Sequence, residues 1–135
     1  TSHSSVTWDL HLPERLPKIA LDPAALHRAL LNIFTNAAEA LGTLPPEASK
    51  RVRITAVYDR GRGSLRLIIS DNGPGLQPEE RERMFEPYFS RKKGGTGLGL
   101  AIVKSIVADH RGTIRAVAAQ GGGTAIVLEF PVMRA

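Results

Sequence analysis

The chain has 135 residues, enough for one domain and short for two. It contains no cysteine, which excludes a disulfide scaffold, a thiol nucleophile, a Cys-ligated zinc site and an iron–sulfur cluster. Eighteen Lys and Arg against 13 Asp and Glu leave a net charge of +5, so the favoured partners are anionic: nucleic acid, a membrane surface or a phosphorylated small molecule. No apolar run approaches the ~20 residues of a membrane-spanning helix. The opening Thr1–Ser5 has no charged-then-apolar signal pattern, and a first residue other than Met suggests a piece of a longer protein.

Val6, Trp8, Leu10 and Leu12 alternate with polar residues, the period of a half-buried strand, and Pro13 stops it. Lys18 to Leu21 reads as a second short extended piece after Pro17. Asp22-Pro23 is a helix start, an N-cap acceptor followed by proline at the first helical position. From Ala24 to Leu41 the apolar residues Leu26, Leu30, Ile33, Phe34, Ala37 and Leu41 form one buried face, with Gly42 and Pro45-Pro46 closing the helix.

Two strands follow, with alternation at Val52–Tyr58 and Leu65–Ile69 around the turn Asp59–Gly63. Residues 76–97 are irregular apart from a short helix near Pro78–Met84, the character of a lid or binding loop. A second amphipathic helix starts at Leu98 and ends at the basic residues His110 and Arg111 followed by Gly112. Thr113–Ala119 and Thr124–Pro131 form a last hairpin around Gly121–Gly123. The expected order is β-β-α-β-β-lid-α-β-β: one α+β domain over 1–135, a two-layer α/β sandwich whose mixed sheet carries its helices on one face.

Chemistry concentrates at four places. Asn32 and Asn36 lie one turn apart on the first helix. A neutral amide oxygen can ligate magnesium whose phosphates supply the negative charge, although a pair of surface asparagines would look the same. Asp71, at the end of a buried strand, can accept a hydrogen bond from an exocyclic amine, with Gly73 and Gly75 letting backbone approach a flat ligand; a plain Asn-Gly turn is the alternative. The run Gly94-Gly95-Thr96-Gly97-Leu98-Gly99 opens a helix, as a phosphate cradle does, yet it is neither a P-loop nor a G-x-G-x-x-G fingerprint. Gly122-Gly123-Thr124 opens the last strand, and Arg91-Lys92-Lys93 places positive charge beside the glycine run.

Asn32-x-x-x-Asn36, Asp71-x-Gly73-x-Gly75, Phe85-Glu86-Pro87-Tyr88-Phe89 and Gly95-x-Gly97-x-Gly99 occur in that order. The succession resembles the N, G1, F and G2 boxes of the catalytic ATP-binding domain of sensor histidine kinases, over about Val6 to Pro131. Around Phe85–Ile114 it is most similar to nitrogen-regulation sensor kinases. The resemblance implies the Bergerat (GHKL) fold shared with gyrase, Hsp90 and MutL ATPases, with a mobile ATP lid over about 76–97. It implies that Asn36 ligates Mg2+, that Asn32 supports the phosphate end and that Asp71 binds the adenine amino group above Gly73 and Gly75. Lys92 would contact phosphate. Gly95, Gly97 and Gly99, with Thr96 and Leu98 between them, would wrap the triphosphate. Thr124 would sit near adenine, and Phe85 and Phe89 would anchor the lid. Arg91 stands where a small hydroxyl residue is frequent, and Ala37–Leu41 lacks the Lys-Tyr pair of many sensor kinases, so no residue is assigned to stack on adenine.

Asn32 stands where the ATPases of this fold carry a Glu, and an amide cannot take a proton from water. The implied activity is phosphoryl transfer with Asn32 and Lys92 at the reacting end, ATP and Mg2+ as cofactors and ADP as product. The phosphoryl acceptor would be a histidine on a helical dimerisation domain outside this chain, with a response regulator downstream. His3, His11, His27 and His110 are followed by Ser4, Leu12, Arg28 and Arg111 rather than by an acidic residue, so none resembles that acceptor. A monomeric, cytoplasmic domain is expected, with membrane attachment of the parent protein left open. The rivals are a GHKL ATPase, a serine kinase of the anti-sigma-factor type and a basic nucleic-acid module built on Arg51, Arg53, Arg60, Arg62 and Arg66. With aromatics at only 5% and no stacking platform in view, no nucleic acid is expected.

Overall fold

The computed structural model describes residues 6–89 and 99–133. Its elements run β1 (Thr7–His11), α1 (Pro23–Leu41), β2 (Arg51–Asp59), β3 (Ser64–Asp71), α2 (Pro78–Arg83), α3 (Gly99–Asp109), β4 (Thr113–Ala118) and β5 (Thr124–Pro131). The strands form one sheet in the order β1-β2-β3-β5-β4. β1 pairs parallel with β2, and the other pairs are antiparallel, so the sheet is mixed as expected. Lys18–Leu21 is not a strand. Among the described residues it makes one backbone bond to the rest of the fold, from Met133 N–H to the Lys18 carbonyl at 2.8 Å, and Ile19 and Leu21 pack against the core; Pro17 and Pro23 leave too short a run to build a ladder.

Helix α1 starts as its sequence dictates. The Asp22 carboxylate accepts from Ala24 N–H at 3.1 Å, and Pro23 occupies the first turn, where its missing N–H costs nothing. Its fully buried line is Ala29, Ile33, Ala37 and Leu41, spaced by four, with Leu30 and Phe34 half-buried at its flank. Gly42 keeps a right-handed conformation (φ −63°), so the exit is made by the following turn, where Thr43 Oγ1 donates to the Ala40 carbonyl at 2.7 Å.

α1 lies over β2 and β3 and packs beside α3, which reaches β4. Alternation puts Val52, Ile69, Ile126, Leu128 and Phe130 under the helices, where they meet Ile33, Leu41, Val103 and Val107. Each such side chain contributes about 1.5–3 kcal/mol on burial. β1 lies outside that cover. Trp8 meets the Phe34 ring edge-on (centroids 5.5 Å apart), but Trp8 and Leu10 remain 46% and 64% exposed, so β1 is less buried than its alternation predicts.

The segment after β3 is held by its aromatic end. Met84 and Phe85 are buried in the core, Phe89 packs against it, and the Arg83 guanidinium sits 4.8 Å from the Phe89 ring centroid. Phe85 and Phe89 thus hold the end of this described segment against the core. The Arg81 side chain donates to the Leu76 carbonyl (2.8 Å), and Glu80 turns back to accept from Gln77 N–H (2.9 Å), which fixes the start of α2.

Candidate nucleotide site

Asp71 is the last residue of β3, on the face toward the helices, and it is half-buried. Its Oδ1 accepts from Gly73 N–H at 2.8 Å and, more loosely, from Thr124 N–H at 3.4 Å. Burial pushes the Asp71 carboxyl above the usual carboxylate range, and those two N–H bonds offset part of the rise. The result is an acceptor held in place at the mouth of the sheet, able to take a hydrogen bond from an amino group that reaches it.

Backbone packing around Asp71 requires glycine. Gly123 has φ +97°, and a Cβ there would collide with the Asp71 carbonyl and stand 3.0 Å from the Asn72 Cα. Gly75, at φ +80°, would place its Cβ 3.5 Å from the Gly123 carbonyl, so the loop after β3 and the β4–β5 turn meet backbone to backbone. Gly73 is just as close, since a Cβ would lie 2.9 Å from Asp71 Oδ1. A cavity of about 410 Å3 opens beside this junction, lined by Gly75, Leu76, Arg81, Ala118 and Gly122 among others, and its lining includes none of Asn32, Asn36 and Asp71.

Asn72 is a contributor that the sequence presents only as a turn residue. Its Oδ1 accepts from Arg51 N–H (2.7 Å), its Nδ2 donates to the Ser49 carbonyl (2.9 Å), and its own N–H reaches the Arg51 carbonyl (3.2 Å). These three bonds staple the loop carrying Gly73 and Gly75 to the start of β2. The partners lie more than twenty residues away in sequence, so no local pattern could announce them.

The other group of predicted residues lies on α1. Asn32 and Asn36 are half-buried, and Asn32 Nδ2 donates to the carbonyl of Gly99, the first residue of α3, at 3.2 Å. That bond brings the asparagine-bearing helix to the end of the glycine run. The Asn36 amide has no protein partner among the described residues. Lys92, Gly95, Thr96, Gly97 and Leu98 lie outside the described residues, as does the neighbouring Arg91. Among the described residues no cluster of three or more His, Asp or Glu could hold a metal, and no helix is long and apolar enough to cross a membrane. Of the arginines that suggested nucleic acid, Arg53 faces Asp9 (3.9 Å), Arg62 and Arg66 face Glu129 (3.7 and 3.6 Å), and Arg60 lies over Tyr58.

A half-buried acid at a strand end, a glycine junction behind it and two asparagines on the helix that meets Gly99 are the arrangement that the resemblance to ATP-binding domains of the Bergerat type implies. Residues 21–134 match the family described as histidine kinase-, DNA gyrase B- and HSP90-like ATPase, and the chain belongs to that family. Among its relatives, the sensor histidine kinase ZraS of Klebsiella oxytoca is 40% identical over 117 residues, covering 87% of this chain and 24% of the relative. The nitrogen regulation protein NtrY of Azorhizobium caulinodans is 41% identical over 112 residues, 83% of this chain and 14% of the relative. The chain therefore spans a quarter or less of these relatives. Among solved structures, the mycobacterial sensor histidine kinase MprB superposes with a TM-score of 0.80 at 35% identity, covering 96% of this chain and 86% of that one. Full-length ShkA in complex with AMPPNP superposes with a TM-score of 0.80 at 31% identity, covering 96% of this chain and 26% of that one.

Proposed function

We propose that this chain is the ATP-binding catalytic part of a two-component sensor histidine kinase, and that it donates the γ-phosphoryl group of Mg–ATP to a histidine on a separate helical dimerisation domain. A response regulator would then take the phosphoryl group from that histidine. The observation that carries the choice of kinase over ATPase is Asn32. Its amide is engaged by the Gly99 carbonyl and has no basic atom with which to activate water.

The roles are those the family resemblance implies, and the geometry around Asp71 and Asn32 supports them. Asp71 would accept from the adenine amino group through Oδ2, the carboxylate being held in place by the bonds from Gly73 and Thr124 to Oδ1. Gly73, Gly75 and Thr124 would line the base pocket. Asn36 would hold Mg2+ through its amide oxygen, a donor suited to a hard cation. The metal, when bound, supplies charge neutralisation on the phosphates. Gly95, Thr96, Gly97, Leu98 and Gly99 would present backbone N–H groups to the phosphates, and Lys92 would add positive charge. Asn32 would hold the end of α3 against α1, so that the phosphate cradle keeps its place as the P–O bond to ADP breaks and the bond to the acceptor imidazole forms.

Calorimetric titration of Mg–ATP into wild type and Asp71→Asn, with Mg–GTP as the control, tests the base pocket. Saturable ATP binding, weak GTP binding and loss of ATP binding in the variant are expected. Equal affinity for ATP and GTP would reject the role of Asp71. A brisk steady-state ATPase in the isolated chain would reject the kinase reading in favour of an ATPase.

A further inference from the structure

His110 is absorbed by none of the roles above, yet both of its ring nitrogens are engaged. Nε2 faces the backbone N–H of Asp22 at 3.0 Å, and Nδ1 faces the Ile106 carbonyl at 2.7 Å. A backbone N–H can only donate and a carbonyl can only accept. The ring is therefore the neutral Nδ1–H tautomer, donating to Ile106 and accepting from Asp22. Asp22 is the N-cap of α1, and its N–H precedes the helical ladder, so the ring supplies a partner the helix itself cannot.

The helix end is shaped to aim this ring. Gly112 N–H bonds to the Val107 carbonyl (2.9 Å) and Arg111 N–H to the Ala108 carbonyl (3.0 Å), a Schellman closure with Arg111 in the left-handed region at φ +63°. Glycine follows at 112 because a Cβ there would lie 2.7 Å from the Glu129 carbonyl and 2.8 Å from the Phe130 ring. The chain thus turns sharply onto β4, with His110 at the turn.

α1 and α3 are consequently tied at two points. Asn32 joins Gly99 at the nucleotide end, and Asp22 joins His110 at the far end, ten residues earlier in α1 and eleven later in α3. Added to the buried side chains packed between the two helices, two such ties at opposite ends hold the angle of the pair more tightly than one. We propose that His110 is a positioning residue for nucleotide binding: its ring clasps the N-terminus of α1 to the C-terminus of α3 and so sets the alignment of Asn32 and Asn36 with the phosphate-facing start of α3. This rests on the nucleotide-binding reading above.

The test combines calorimetry with nitrogen NMR on the full 135-residue chain. In the wild type, His110 should show a pyridine-type Nε2 and a pyrrole-type Nδ1; the opposite tautomer would overturn the clasp. His110→Ala should raise the Kd for Mg–ATP about three- to tenfold, the range one neutral hydrogen bond supports. His110→Gln, whose side-chain oxygen can reach the Asp22 N–H, should restore affinity to within about twofold. His110→Asn, which reaches only its own helix, should behave like the alanine variant. Thermal melts run alongside, because a purely structural role would lower the Tm in these variants and leave Kd untouched, which would overturn the proposal. If the wild type binds Mg–ATP and His110→Ala binds it equally well, the positioning role falls alone. If the wild type binds no nucleotide, the reading it rests on falls with it, and the tautomer still reports whether the clasp exists.

Discussion

Around Asp71 the chain is fixed backbone against backbone, with Gly75 and Gly123 in contact and the Asn72 side chain stapling the loop to β2. On α1, Asn32 reaches α3 by one side-chain bond, and the Asn36 amide is left without a protein partner among the described residues. The first region has no slack because three separate segments share one small volume. The second is a helical face on which residue type can change while the backbone stays. Substitutions that add atoms at the glycine junction should therefore damage fold and site together, and substitutions on the helical face the site alone.

Gly123→Ala is the strongest way to break that contrast. It demands both a left-handed alanine and a Cβ where the Asp71 carbonyl stands. A loss of about 3 kcal/mol or more is expected, read as a lower urea midpoint at unchanged slope. A variant of wild-type stability would mean the β4–β5 turn can move away from β3 at little cost.

Asp71→Asn sharpens the same region by separating charge from shape. The amide keeps an oxygen for Gly73 and Thr124 but can present a donor where adenine needs an acceptor, so ATP affinity should fall more than tenfold. Stability should move the other way. The folded carboxyl titrates above its ordinary value of 3.8, so in the window above 3.8 the native state holds more proton than the unfolded chain. Stability from this group is present below 3.8 and is lost as pH rises through the folded value, so the ionised carboxylate is a cost near neutrality. Asp71→Asn should flatten that part of the Tm–pH curve and leave neutral-pH stability equal or higher. A steeper loss of stability in the variant would contradict burial as the dominant effect.

Asn32→Ala probes the helical face. The lost bond to Gly99 costs about 1 kcal/mol, and the gain in helix propensity returns about half of it, so the Tm should shift only slightly. On the proposed kinase reading, phosphoryl transfer to a histidine-bearing dimerisation domain should nevertheless collapse. A large drop in Tm with activity retained would reverse the assignment of the two regions.

The same physical difference decided what could be read in the sequence. α1 was legible because a 3.6-residue period and an Asp-Pro start act locally, and Asp71 and the glycines were legible because their types are unusual for their positions. The exposure of Trp8 and Leu10 was not, since alternation tells which residues share a face but not whether a helix covers it. Lys18–Leu21 looked extended and gained no strand partner, because pairing depends on a neighbour the local sequence does not name. Asn72 and His110 were missed for that reason too: each earns its role from residues far along the chain. The glycine run around Gly95–Leu98 lies outside the described residues, so its part in the site rests on sequence alone.

Arg111 gives the smallest expected effect and the cleanest control. The sequence suggests that Gly112 ends α3, but the left-handed position belongs to Arg111, and Gly112 is small because of Glu129 and Phe130. A left-handed conformation costs a side-chain-bearing residue roughly 1–2 kcal/mol, while glycine gives back about 0.5–1 kcal/mol through greater freedom in the unfolded chain. Arg111→Gly should therefore stabilise by about 0.5–1 kcal/mol. Arg111 is exposed and its left-handed geometry is retained, so the ring of His110 should stay on Asp22 and Mg–ATP affinity should not change. If the variant gains stability and loses affinity, the arginine contributes to the nucleotide end through its charge. If it loses stability, the strain assigned to this turn is absent, and the sharp exit onto β4 is held by contacts of the Arg111 side chain instead.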